Sequence, residues 1–282
     1  MKNNIILVVL VSLPVMISYA DNQMSVLGAK AKGKADVSVA ASDFWACNNN
    51  QAALGFYTSY AIGVYYENRF LTRFTSMGAI GVVCPIKKAG VLSTCVRMSG
   101  MGGFNQLQAG VAYSRAFGQY VGVGLQFDYL LNYFGESYYG RSHGFTFEVG
   151  IYGRVTPNLS LAFHVYNPAR LRMLCSGDIK EYIPTLFRLG MEWHAGKNCE
   201  LSVEMSKSLD TRLNGAVSVE YIFSPHLSLR AGMRLPDFVF SIGLGATIKD
   251  LTIDVSSSYH TVLGYSPQIS LVYHFKQRKH EK

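Results

Sequence analysis

From about residue 58 to residue 275 this chain alternates apolar and polar side chains almost without interruption. "HLSLRAGMRL" (226–235) shows the pattern: Leu227, Leu229, Ala231, Met233 and Leu235 are interleaved with Ser228, Arg230, Gly232 and Arg234. Successive side chains of a strand point to opposite faces, so each such stretch has one greasy face and one polar face. The same period runs through 121–129, 145–152, 187–194, 217–223 and 238–245. It predicts fourteen strands, at about 58–67, 73–85, 91–99, 105–117, 120–130, 143–155, 158–166, 184–194, 198–207, 214–223, 226–235, 237–248, 251–260 and 267–275. Alternation alone leaves two folds open. A soluble sandwich would turn the arginines to water, and a membrane barrel would turn the leucines to lipid.

The connections separate these alternatives. After even-numbered strands they are short: "KKAG", "GQ", "TPN", "AGKN", "SP" and "KD". After odd-numbered strands they are mostly longer, as in "RFLTRF", "SGMGGF", "LNYFGESYYGRS" and "NPARLRMLCSGDIKEYIP"; "LP" at Leu235–Pro236 is the exception. Outer-membrane barrels pair short periplasmic turns with longer outer loops and have an even strand number. Greek-key sandwiches have no reason to alternate in this way. The predicted fold is therefore all-β, an up-and-down antiparallel transmembrane barrel with its amino terminus on the periplasmic side. The lumen then receives Asp128, Glu148, Arg154, Arg188, Glu192, Glu204, Glu220, Arg230 and Arg234. Both signs on neighbouring strands favour a lattice of ion pairs over a selective ion path, because an unpaired charge in a restricted interior is costly.

The first residues read as a secretory leader. Lys2 precedes an apolar run, Ile5–Ile17, and Ser18-Tyr19-Ala20 fits cleavage after Ala20. That run is short of the roughly 20 residues a membrane helix needs. The expected organisation is a signal peptide at 1–20, a periplasmic or lumen-inserted segment at 21–57, the barrel at 58–275 and a basic tail, "KQRKHEK", at 276–282. Residues 21–57 do not alternate. Ser42 or Asp43 is a candidate N-cap before Phe44, Trp45 and three asparagines, which suits a short helix or plug.

Several chemistries find no support. The formal charge is +8, but the basic residues are scattered and no nucleic-acid motif accompanies them. Five cysteines (Cys47, Cys84, Cys95, Cys175 and Cys199) show no zinc spacing. Cys84 and Cys95 fall on one predicted hairpin, where a disulfide is one alternative and two free thiols the other. Ser256, Ser258 and His260 share a strand face, but there is no GxSxG and no visible orienting partner, so they read as polar rim residues and the chain as non-enzymatic. No cofactor is expected. Phe275 ends the last strand and is a candidate signal for barrel-assembly machinery.

"FWACNNNQAALGF" followed by "YYENRF", and then "GGFNQLQAGVAYSRAFG", "FEVGIYGRVTPNLSLAFHVYNP", "IPTLFRLGMEW" and "LGYSPQISLVYHF", resemble in order a group of Bacteroidota outer-membrane barrels of the PorV/PorQ type, more distantly similar to FadL transporters. The nearest group has no assigned biochemical activity. The resemblance implies a fourteen-stranded barrel with an inserted amino-terminal segment. FadL-like members carry hydrophobic solutes across the outer membrane, and PorV-like members receive and pass on exported proteins of type IX secretion. The implied partners are outer-membrane lipid and lipopolysaccharide, the assembly machinery, and a hydrophobic small molecule or secretion-system proteins. The implied plug motif is Trp45, Asn49, Asn50, Gln51 and Ala52, where the FadL pattern has Asn-Pro-Ala and this chain has Gln51 in place of proline.

Overall fold

The computed structural model describes residues 24–87, 89–100, 103–134, 140–175, 182–209 and 211–275. The expected leader and basic tail lie outside the described residues. The strands are β1 (Tyr60–Asn68), β2 (Ser76–Ile86), β3 (Gly90–Ser99), β4 (Phe104–Phe117), β5 (Val121–Phe134), β6 (Arg141–Thr156), β7 (Leu159–Tyr166), β8 (Leu174–Cys175), β9 (Leu186–His194), β10 (Cys199–Ser208), β11 (Leu213–Ser224), β12 (Leu227–Leu235), β13 (Val239–Ile248), β14 (Leu251–His260) and β15 (Gly264–Phe275). Each barrel strand pairs antiparallel with its neighbour in sequence, β7 pairs with β9, and β15 returns to β1. The result is a closed fourteen-stranded barrel. Closure removes the unpaired edge that lipid could not satisfy.

The two-residue β8 lies outside the wall count. It sits in the long connection between β7 and β9 and pairs with β6 through Ser142↔Cys175 and His143↔Leu174. A strand that short carries no periodicity to read.

Alternation appears in the structure as burial. Along β1 exposed and buried residues follow one another strictly: Tyr60, Ile62, Val64 and Tyr66 face out, whereas Ala61, Tyr65 and Glu67 are buried. In "HLSLRAGMRL" Leu227, Ala231 and Leu235 are exposed, and Ser228 and Arg230 are buried. The outward residues are large and apolar all round the wall, including Phe127 at 63% exposure, Leu189 at 54%, Ile242 at 58% and Leu244 at 54%. A continuous apolar belt of this kind on a closed barrel is a lipid-facing surface. No helix among the described residues is long and apolar enough to cross a membrane, so the crossing is made by strands.

The hairpin register decides between the two alternatives for Cys84 and Cys95. Cys95 lies opposite Gly81, and Cys84 lies opposite Leu92. Cys95 is buried inside, while Leu92 is exposed and places Cys84 on the outer side. The two cysteines are out of register and on opposite faces, so they cannot pair, and both are free thiols.

The described residues before β1 form α1 (Ala29–Gly33), α2 (Ala46–Asn49) and a 3-10 turn (Gln51–Phe56). This segment bonds to or abuts strands from β1 round to β15, which places it within the enclosed space. Leu27, Val39, Phe44, Trp45, Cys47 and Leu54 form its apolar core with Tyr65, Val83, Val91 and Tyr152 of the wall. Glycines make room for it. A Cβ on Gly63 would run into the Phe44 ring, and one on Gly150 into Asn50 and Ala52.

Candidate functional site: the filled lumen

Three lysines at alternate positions, Lys30, Lys32 and Lys34, each meet a carboxylate of the wall. Lys30 Nζ is 3.5 Å from Glu220 on β11. Lys32 Nζ is 3.8 Å from Glu67 on β1 and 2.9 Å from Asp36. Lys34 Nζ bonds Glu200 on β10 and lies 3.5 Å from Glu192 on β9. Asp36 in turn bonds Arg234 on β12. Glu220 beside Lys30 holds its ammonium above the ordinary lysine range. Burial opposes the charge on Lys34, but Glu200 and Glu192 outweigh it and keep the group protonated. Burial likewise works against Asp36, and Lys32 and Arg234 reverse that, holding its carboxyl below the usual range. Buried charges survive only when paired in this way.

Beyond these contacts, Arg188 of β9 is the central clamp. It donates to Glu204 on β10 at 2.7 Å, to the Asn49 carbonyl at 3.0 Å and to Ser38 Oγ at 2.6 Å. Glu204 uses its other oxygen to accept the Ser38 and Val39 N–H groups at 2.8 and 2.9 Å. Wall and segment therefore share one ion pair. Arg230 is held within the wall, between Glu220 at 2.8 Å and Asp254 at 2.6 Å.

Across the lumen the grip is made by amides. Gln51 donates to Gln126 on β5 and Glu148 on β6, both at 2.7 Å. Glu148 also contacts His164 Nε2 at 2.9 Å, and Asp128 accepts from Gln108 and Gln126. Asn50 donates to the Val39 carbonyl and caps the Ala52 N–H. Asn49 binds both backbone groups of Leu27. Asp43, one of the two candidate caps, accepts the Trp45 N–H at 2.9 Å. Trp45 stacks edge-on against Phe44 and Tyr65, and its Nε1 finds no partner among the described residues.

The structure thus brings together at the interface Glu192, Glu204, Glu220, Arg188, Arg234, Glu148 and the 45–52 motif. Asp128 and Arg230 lie one step behind it. Arg154 differs: it stands exposed at the short-turn mouth, its guanidinium 4.0 Å from the centre of the Phe56 ring. Phe275 lies on the lipid side opposite Tyr60, at the β1–β15 seam. Ser256, Ser258 and His260 do not form a nucleophile and base. His260 Nδ1 accepts the Val262 and Leu263 N–H groups, and Ser258 bonds Ser241 and Gln268. Sequence reasoning missed Lys30, Lys32, Lys34 and Asp36, as well as Glu67, Glu200 and Asp254. The lysine spacing in "AKAKGKAD" was the available signal, and Glu200 sits on the same strand face as Glu204.

Two cavities flank the segment. The one towards the longer loops is small, about 40 Å³, and is lined by Ser25, Arg69, Arg97, Leu130, Met173 and Ile183 among others. The one towards the short turns is about 350 Å³ and is lined by Phe44, Trp45 and Tyr57 together with the charged Lys30, Asp43, Glu220, Arg230 and Asp254. They share no lining residue.

No family model and no curated protein matches this chain. Solved structures do. A Pseudomonas putida toluene transporter, TodX, is similar with a TM-score of 0.67 at 11% identity, covering 91% of this chain and 100% of that one. The Ralstonia pickettii toluene transporter TbuX gives 0.65 at 11% identity over 90% and 99%. A Pseudomonas aeruginosa FadL homologue gives 0.61 at 13% identity over 87% and 98%. The fold is that of the FadL-like barrels.

Proposed function

We propose that this protein is an outer-membrane barrel through which a hydrophobic small molecule passes, with the lumen-filling amino-terminal segment as the closure. The observation that carries the proposal is that segment: it is buried against strands all round a barrel whose fold is shared with hydrocarbon transporters, with a cavity towards each end. The apolar belt supplies the membrane, and the alternation of short turns with longer loops sets the 350 Å³ cavity on the periplasmic side. That volume lies in the range of small-molecule sites; Phe44, Trp45 and Tyr57 give it an apolar side, and Lys30, Glu220, Arg230 and Asp254 a charged one. Closure by ion pairs and side-chain amide hydrogen bonds is reversible, because each contact is discrete and has water as an alternative partner.

The test is uptake of labelled toluene by cells that make the protein and cells that lack it, at concentrations where the outer membrane limits the rate. Faster uptake with the protein supports passage; equal rates refute it. An accessory role in type IX secretion rests on the PorV/PorQ resemblance alone. Its mark would be exported cargo co-purifying with the barrel.

A further inference from the structure

The enclosed segment and the wall meet at a pair of sulfurs. Cys47 lies on α2, which packs against β2 and β3. Gly81 of β2 makes room for its thiol: a Cβ at that position would stand 3.1 Å from Cys47 Sγ. Directly opposite Gly81 in the β2–β3 register is Cys95. Opposed residues of an antiparallel pair carry their Cβ atoms about 4.5–5.5 Å apart on one face of the sheet. The Cys95 side chain therefore rises beside the position that Cys47 Sγ occupies. Cys95 is also the group that acts most strongly on the Cys47 thiol, through a side-chain contact between the two. Both belong to the same apolar core and are buried, at 0% and 4% exposure. Cys84 lies on the outer side of the wall, Cys175 belongs to β8, and Cys199 begins β10, which is far from β3 in strand order.

We propose that Cys47 and Cys95 are joined by a disulfide in the exported protein, a covalent tether between plug and wall. Both are thiols in this structure. Two cysteines whose side chains already touch have the short reach that such a bond needs. The oxidising periplasm served by an outer-membrane barrel lets disulfides form and persist. The oxidant is a second disulfide, that of an exported oxidoreductase or of glutathione. One cysteine, as its thiolate, attacks that bond and forms a mixed disulfide, releasing the first thiol; the other cysteine then attacks the mixed disulfide and releases the second. The Cys47–Cys95 bond forms, the oxidant's S–S bond breaks, and the two cysteine protons end on the two thiols released. Both sulfurs are buried once the segment is seated, so the exchange takes place before it seats or while it is displaced. The tether fixes α2 to β3 and leaves the contacts of Lys30, Lys32, Lys34 and Gln51 reversible. The segment can then shift within the lumen but cannot leave it. That consequence rests on the proposed passage; the bond itself does not.

The experiment is disulfide mapping of the full chain isolated from outer membranes without reductant. N-ethylmaleimide is added during denaturation to cap every free thiol, and the chain is digested without reduction. The expected result is a joined pair of peptides, one with Cys47 and one with Cys95, that separates on reduction. Maleimide on either residue, or either one joined to a different cysteine, overturns the proposal. The second readout is amide exchange at 46–49 in the folded barrel, with heat-modifiable mobility as the check on folding. Reduction is expected to speed that exchange at least about tenfold in the wild type, the scale on which a cross-link restrains a chain, and to leave Cys47→Ala unchanged. Equal exchange in the oxidised and reduced wild type overturns the tether. Neither readout depends on toluene uptake, so the tether and the passage fail separately.

Discussion

The wall and the segment it encloses are held by different forces. Every wall strand is joined to two neighbours by a continuous backbone ladder, and the apolar side chains on its outer face are immersed in lipid. No single side chain carries that assembly. The enclosed segment has no ladder to the wall. It is held by the apolar core around Phe44, Trp45 and Leu54 and by discrete polar contacts: Lys30, Lys32, Lys34 and Asp36 on one side, the Arg188–Glu204 clamp in the middle and Gln51 on the other. A ladder loses structure cooperatively, whereas point contacts can be undone one at a time. The comparison makes the attachment of the segment, rather than the wall, the part that single substitutions can loosen.

Substitutions at the point contacts should loosen the segment and leave the wall intact. The largest effect is expected from Arg188→Ala, which strands the buried Glu204 and removes bonds to Asn49 and Ser38. Breaking a buried pair costs about 3–5 kcal/mol. Amide exchange across 24–57 should accelerate while the strands stay protected; equal acceleration in both would erase the distinction. Gly150→Val comes next, because its side chain would overlap Asn50 and Ala52, at about 1–3 kcal/mol. The same exchange experiment reads it, with Gly215→Val, which meets nothing, as the control expected to stay near wild type.

Gln51→Pro restores the residue of the FadL pattern. It removes two side-chain bonds, one of them to a carboxylate, worth about 1.5–3 kcal/mol. Proline recovers about 0.4–1 kcal/mol by restricting the unfolded chain, and Asn50 is already extended, as a residue before proline must be. A net loosening of about 1–2 kcal/mol should appear as faster exchange at 51–56; unchanged exchange would show that Gln51 does not tether the segment.

The smallest effect is expected from pH. Asp36 is held below its ordinary range, so its contribution is complete above about pH 4 and is lost as pH falls through the folded value. Lys30 and Lys34 are held above theirs, so their contributions are complete below about pH 10 and are lost only as pH rises further. Loss of the Asp36 contact, measured as exchange at 34–36 corrected for its intrinsic pH dependence, should set in only below about pH 4; protection at 34–36 that stays unchanged down to about pH 2 would show that Asp36 does not hold the segment.

The wall was legible in the sequence because lipid outside and polar lumen inside impose a period of two on every strand. The boundaries of β4, β7 and β14 differ from the alternation by a residue at most. The register between Cys84 and Cys95 was not legible, because the turn sets it and alternation does not. The lysines of the segment were hidden for a related reason. They lie on one short helical turn, and their partners come from strands far away in sequence, as with Lys34 and Glu200 or Lys30 and Glu220. The wall half of each contact was readable as a polar residue on the inner face, but its plug half was not. Arg154 shows the remaining limit. Parity put it on the inner face, but depth along the barrel decides whether such a residue is buried, and Arg154 stands at the rim.

The central claim is that the enclosed segment closes a passage for hydrophobic molecules. Its most direct test is toluene uptake by lipopolysaccharide-rich outer-membrane vesicles bearing wild type, Arg188→Ala or no barrel. The account predicts uptake with the wild type above that of barrel-free vesicles, and faster uptake again with Arg188→Ala. Identical rates in all three would contradict it.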